Sequence, residues 1–331
     1  MNWILRRSAL GATLAAICGP ACSAEPTEQC PSGAAGAADT AGAADTAGAA
    51  DTAGAASTAG AANAAGAANA AGAAGSSAAP LSVLVFNYTT GFGHQSRETA
   101  IPLLQAAAQS NGIHLDLKYA LSAVQPEGPS DQSNIAANAC AARVDTSAFV
   151  PGGLDAYDVV FFLSTTGAPL SADGPEQEIV HQQALQDFID GKHRGFVGVH
   201  SATDTYATWP WYVDMIGASF RTHSVNGTLG TVSAPANVMH PILTRSALPL
   251  PWSRPDEWYA FNRDVSTLPG FTVLLDVEDT LNEKRPTAWV HELPGGGRAF
   301  YTSMGHGLEA FQDPAVMRLM ISGLLWAGHR L

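Results

Sequence analysis

The chain has 331 residues, a formal net charge of −13 and only 14% charged residues. An acidic chain without a basic patch or stripe excludes a nucleic-acid-binding surface, and the charge suits solubility outside the cell. The length allows one α/β domain with a full core once signal and linker segments are set aside.

The N-terminus reads as an export signal. Residues 1–7 are short and positive, residues 10–18 are apolar but too short to span a bilayer, and small residues follow to Ala24. Arg6-Arg7-Ser8-Ala9-Leu10 fits a twin-arginine signal or an ordinary secretory one. Cys22 sits where a lipoprotein carries its acylated cysteine; the alternative is cleavage near Ala24 and full secretion. The expected organisation is a signal over residues 1–24, a linker over 25–80 and one domain over 81–331. The product is expected to be exported, as a periplasmic or cell-surface lipoprotein or as a secreted protein. In such an oxidising compartment Cys30 and Cys140 could pair, or remain two free thiols.

The linker repeats a six-residue unit, first as Asp39-Thr40-Ala41-Gly42-Ala43-Ala44. It offers no aromatic or branched aliphatic side chain to offset chain entropy, so a flexible tether is expected. At Leu81 the composition changes. Residues 81–86 read as a buried strand, followed by a loop to Gln95. Ser96 reads as an N-cap, with a helix over 99–110 stopped by Asn111-Gly112. Further strands are expected over 113–119, 157–163 and 195–199, with helices over 174–191 and 209–217. The stretch 120–154 has no clear pattern. Beyond Ser219 the pattern turns to strands, over 228–233, 257–261, 271–277, 287–292 and 298–303. The last two are joined by a hairpin loop, and a closing helix covers 314–327. Alternating strands and helices predict a mainly parallel sheet with helices on both faces and strands added in the C-terminal half.

Polar residues at the carboxyl ends of parallel strands mark candidate sites. His94, His200 and His306 fall at this edge, and His223 follows a strand-like segment. Imidazole suits proton transfer near neutral pH and divalent metals alike. In Gly198-Val199-His200-Ser201-Ala202-Thr203-Asp204 a strand enters a helix through one polar residue flanked by small ones, the pattern of a nucleophile elbow. Because His200 replaces the Cys or Ser, thioester chemistry is excluded. His200 is expected at the open edge of the sheet, where it would contribute little to packing; a loop-bonding role remains the alternative. Trp209-Pro210-Trp211-Tyr212 and Asp256-Glu257-Trp258-Tyr259 place aromatic faces beside carboxylates, which suits sugars. The alternative for each is a core aromatic with a capping acid.

These segments, with Thr89-Thr90-Gly91-Phe92-Gly93-His94-Gln95-Ser96, His240-Pro241, Pro286-Thr287-Ala288-Trp289 and Tyr301-Thr302-Ser303-Met304-Gly305-His306, together resemble the ThuA-like (trehalose-utilisation) family. The resemblance runs in order from Leu81 to Gly328, with a longer stretch at 125–153. It implies a flavodoxin-like, class I glutamine-amidotransferase-like fold without the amidotransferase cysteine, associated with the catabolism of trehalose and other sugars. It implies no particular reaction.

Two functions follow as expectations. One is an enzyme acting on a sugar or keto-sugar, in which His200, Asp204 and His94 are catalytic, His200 as acid/base or metal ligand, and Asp204 orients or charge-balances His200. Trp211, Asp256, Glu257, Tyr259 and His306 would then bind substrate, and His223 with His200 and His94 would hold a divalent metal such as zinc. The other is a tethered, non-catalytic carbohydrate-binding module using the same pocket. The partner in either case is a small carbohydrate, and an oligomer is compatible with both.

Overall fold

The computed structural model describes residues 79–118, 128–129, 144–279 and 284–331. The signal, the repeat linker, Cys22 and the Cys30–Cys140 pair lie outside them. In chain order the strands are β1 (Leu81–Phe86), β2 (Phe92–Gly93), β3 (Ile113–Leu117), β4 (Gly128–Pro129), β5 (Val159–Leu163), β6 (Gly195–Val199) and β7 (Phe220–His223). They continue as β8 (Thr228–Ser233), β9 (Trp252–Asp256), β10 (Tyr259–Phe261), β11 (Phe271–Glu278), β12 (Lys284–Glu292) and β13 (Arg298–Thr302). The helices are α1 (Ser96–Thr99), α2 (Ile101–Gln109), α3 (Pro175–Gln186), α4 (Pro210–Ile216), α5 (Pro241–Ser246), α6 (Leu308–Gln312) and α7 (Pro314–Ala327).

Nine strands form one sheet in the order β3-β1-β5-β6-β13-β12-β11-β8-β9. From β3 to β13 neighbours run parallel, and from β13 to β9 they run antiparallel. The inner parallel strands β1, β5 and β6 are buried on both faces, as their nearly unbroken apolar runs require, whereas the edge strand β3 is buried only at Ile113. Successive side chains still point to opposite sides. Val83, Val85, Phe161, Val197, Val199 and Phe300 pack with α2 and α7. Leu84, Phe86, Val160, Phe162, Phe196 and Tyr301 pack with Phe188, Tyr212 and Met215 on the other face. The chain is thus a flavodoxin-like α/β fold with antiparallel strands added in its C-terminal half.

Three local differences from the sequence expectation have physical causes. Ser96 does not cap a long helix: it opens the short α1, and its hydroxyl donates to the Gly305 carbonyl at 3.0 Å. The break falls before Pro102 near the start of α2, where a missing N–H cannot continue a helix. Strand β9 escaped notice because Pro255 argues against a strand, but β9 is the sheet's edge strand, where proline is tolerated. The strand expected over 257–261 is shorter, covering only Tyr259–Phe261. Asp256 ends β9 in the main sheet, and Tyr259 begins β10, which pairs with β7 in a separate two-stranded ribbon. Glu257 and Trp258 lie at that crossing. No helix among the described residues is long and apolar enough to cross a membrane.

Candidate metal centre

The elbow after β6 is present in the backbone. His200 has φ of +52°, in the left-handed region, and starts a 3₁₀ turn to Asp204. The small neighbours make the turn feasible: a Cβ on Gly198 would lie 3.1 Å from both the Ala202 Cβ and the Ile216 Cδ1. The His200 ring is wholly buried, not at an open edge as its position in the sequence suggested. Its Nδ1 lies 2.8 Å from the Ser303 carbonyl oxygen just beyond β13. A carbonyl only accepts, so Nδ1 carries the proton and Nε2 presents a lone pair.

Four groups converge on that lone pair. The Tyr259 hydroxyl is 2.9 Å from His200 Nε2, His94 Nε2 is 3.2 Å away, His306 Nδ1 3.3 Å and Glu257 Oε2 3.4 Å. Glu257 Oε2 is also 3.1 Å from His306 Nδ1. One donor atom from each of His94, His200, Glu257 and His306 lies within 4.8 Å of the others, and all four residues are buried. In a tetrahedral zinc site with bonds of about 2.0–2.1 Å, ligand atoms stand about 3.3 Å apart. Four of the six separations among these donors, at 3.1–3.4 Å, match that spacing.

The surrounding chain holds these donors in place. Ser201 Oγ lies 3.2 Å from His94 Nδ1 on the far side of that ring. Asp256 accepts from the backbone N–H groups of Glu257, Gly305 and His306, tying the end of β9 to the loop after β13. Its own charge is met by the buried Arg254. The outer oxygen of Glu257, Oε1, meets Nδ1 of the half-exposed His223 at 3.0 Å.

The electrostatics favour a cation at the centre. Burial, then the neighbouring His200 and His306, push the proton affinity of His94 well below that of an ordinary histidine. Burial alone would raise the Glu257 carboxyl, but positive charge and hydrogen bonds on the His200 and His306 side prevail and hold it far below the usual range; protons on those rings supply that charge without an ion, and a bound cation would supply it in their place with the rings neutral. A neutral, lone-pair-bearing imidazole beside an ionised carboxylate is the state that ligates metal.

The structure thus brings together His94, His200, His306, Glu257 and Tyr259, and redistributes the roles expected of the others. The Ser303 carbonyl, not Asp204, orients His200; burial raises the Asp204 carboxyl, and Asp204 interacts with His200 through charge alone, which lowers that carboxyl by less. Trp211 is not part of the cluster: it donates to Asp190 and packs on Trp209. Asp256 faces no ligand space, being 2% exposed and committed to three backbone N–H groups. Among the expected metal ligands, His223 stands outside the inner set and supports Glu257. Glu257 and His306, expected to bind substrate, are inner donors. The sequence carries no signal for Ser303, which acts through its backbone carbonyl, or for the contact of Ser201 with His94, which depends on the fold.

A mixed α/β sheet whose elbow carries a buried imidazole defines a flavodoxin-like scaffold with neither cysteine nor serine at the elbow position. The chain belongs to the ThuA family: the family model, described as trehalose utilisation, matches residues 82–327. A solved ThuA-like protein from Bacteroides uniformis is 20% identical with a TM-score of 0.56, covering 77% of this chain and 94% of its own. Another from Parabacteroides merdae is 16% identical with a TM-score of 0.53, covering 75% of this chain and 90% of its own. At such identities the likeness concerns the fold. No curated protein matches the chain.

Proposed function

We propose that the chain is an exported enzyme that processes a sugar or keto-sugar at one divalent transition metal, zinc fitting the donors, held by His94, His200, Glu257 and His306. The carrying observation is the His200 Nε2 lone pair, faced by two further imidazole nitrogens and a carboxylate oxygen at tetrahedral spacing. Three imidazoles and one carboxylate suit zinc and its neighbours better than magnesium or calcium. The trehalose-utilisation description of the family supports the substrate class.

A bound ion of this kind supplies Lewis-acid polarisation of an oxygen and makes a bound water more acidic. The chain's own residues do the rest. The Ser303 carbonyl fixes the His200 tautomer, and Asp256 fixes the positions of Glu257 and His306. Glu257 balances charge inside the centre and reaches the half-exposed His223 through its other oxygen. Export rests on the layout of residues 1–24; a Cys22→Ser change that releases the protein from membranes would identify the anchored residue.

The burial of all four donors favours a second reading, in which the ion is structural and the domain is a tethered, non-catalytic carbohydrate-binding module. Metal analysis of purified protein, combined with a turnover and binding screen of oxidised and unoxidised disaccharides, separates the two. The enzyme requires one ion per chain and turnover that His200→Ala abolishes. The module requires the ion and sugar binding without turnover. Purified protein that takes up no stoichiometric transition metal overturns both metal readings.

A further inference from the structure

We infer that the Tyr259 phenol hydrogen-bonds a metal-bound oxygen of the ligand, a hydroxyl, carbonyl or hydroxamate oxygen; this rests on the metal reading above. Tyr259 opens β10, and its ring is fixed on several sides. It lies 4.3 Å from the His200 ring centroid, 4.5 Å from Phe220 and 6.4 Å from Phe261, and the residue is 3% exposed. Its hydroxyl is 2.9 Å from His200 Nε2. Because His200 Nδ1 donates to Ser303, that contact has one direction: the phenol donates into the Nε2 lone pair.

A single lone pair cannot serve a phenol proton and a cation together. When an ion takes Nε2, the phenol loses its acceptor, yet ring packing keeps its oxygen beside the coordination sphere. A buried hydroxyl without a partner is costly, so the arrangement favours any ligand that places an acceptor oxygen on the ion at the Tyr259 side, as a fifth donor to a sphere that can expand from four. The residue then selects oxygen-bearing ligands and orients them, while the ion is held by the other four side chains.

The test uses the full chain, as wild type and Tyr259→Phe, which keeps the ring and removes only the hydroxyl. Each is loaded with Co(II) and titrated with acetohydroxamate, followed by visible absorption. Zinc uptake and thermal unfolding are measured alongside. Tyr259→Phe is expected to take up one ion per chain at least as tightly as wild type, because the phenol no longer competes for Nε2. Acetohydroxamate should bind about 10-fold more weakly, the loss of one hydrogen bond to a charged ligand. Equal hydroxamate affinity in the two proteins overturns the inference and leaves the metal reading standing. So does loss of the ion from a folded Tyr259→Phe, which would make the phenol oxygen itself a ligand, and so does a wild-type metal centre that takes no hydroxamate. A wild type that binds no stoichiometric ion removes the metal reading and this inference with it.

Discussion

A histidine that ligates and one that supports a ligand differ in what their removal costs. His200 presents Nε2 to the centre, whereas His223 stands outside it, its Nδ1 shared between the outer oxygen of Glu257 at 3.0 Å and the Ser224 carbonyl at 2.7 Å. His200→Ala should therefore abolish stoichiometric zinc uptake, while His223→Ala should weaken it by about 10-fold or somewhat more, the usual effect of losing an outer partner. Equilibrium titration against a chelator of known affinity measures both; equal losses would return His223 to the inner set. The same ligation sets a thermal signature. Zinc at about 100 times its dissociation constant should stabilise wild type by roughly 2.7 kcal/mol, and His200→Ala should show no rise in Tm on zinc addition. The histidines were legible in the sequence because strand ends gather side chains at one edge. Which of them lie innermost was not, because that depends on the crossing at Glu257, where two strands belong to different sheets.

At the scale of elements, most strands of the parallel half could be read from their apolar runs, since burial on both faces leaves them few polar positions. The antiparallel half was harder: β9 carries Pro255 and charged residues and is a strand because β8 beside it supplies a pairing edge. Helix α7 was read with its full extent, yet its glycine has a role no periodicity reveals. A Cβ on Gly323 would fall inside the van der Waals envelope of the Phe300 ring on β13. Alanine there gains about 1 kcal/mol in helix propensity, but overpacking a fixed aromatic ring costs about 1–3 kcal/mol. We expect the steric cost to prevail, so that Gly323→Ala lowers Tm by a few degrees. Adding Phe300→Leu should restore part of the loss, and the two changes should not be additive. A Gly323→Ala protein more stable than wild type would mean the helix shifts freely against β13, and with it the loop that carries His306.

On the scale of the whole molecule, the two halves of the sheet contribute different ligands. The parallel half supplies His200 and His306 at its strand ends and His94 in the loop after β1. The antiparallel half turns back through β9 and the β7–β10 ribbon to deliver Glu257 and Tyr259. Folding therefore buries several histidines at the junction and elsewhere, and acid should act on the entire domain. Burial lowers the proton affinity of His94 below its ordinary value of 6.5, and lowers that of His240, His291 and His329 in the same direction. For each, the unfolded chain takes up its proton at a higher pH than the folded one. Stability of the metal-free protein should thus be level above about pH 7 and decline as pH falls through 6.5. Glu257, whose carboxyl is held down in the fold, adds a further loss once pH falls through its ordinary value of 4.5. Asp204, raised by burial, opposes these in the acid range. Thermal unfolding in excess chelator from pH 8 to pH 5 should show the decline, and His94→Gln should make it shallower without removing it, because the other three histidines remain. Zinc should move the decline to lower pH, since a ligating His94 cannot take a proton until the ion leaves. A profile that is flat from pH 8 to pH 5, or one that His94→Gln leaves unchanged, would show that His94 is not held neutral by the fold.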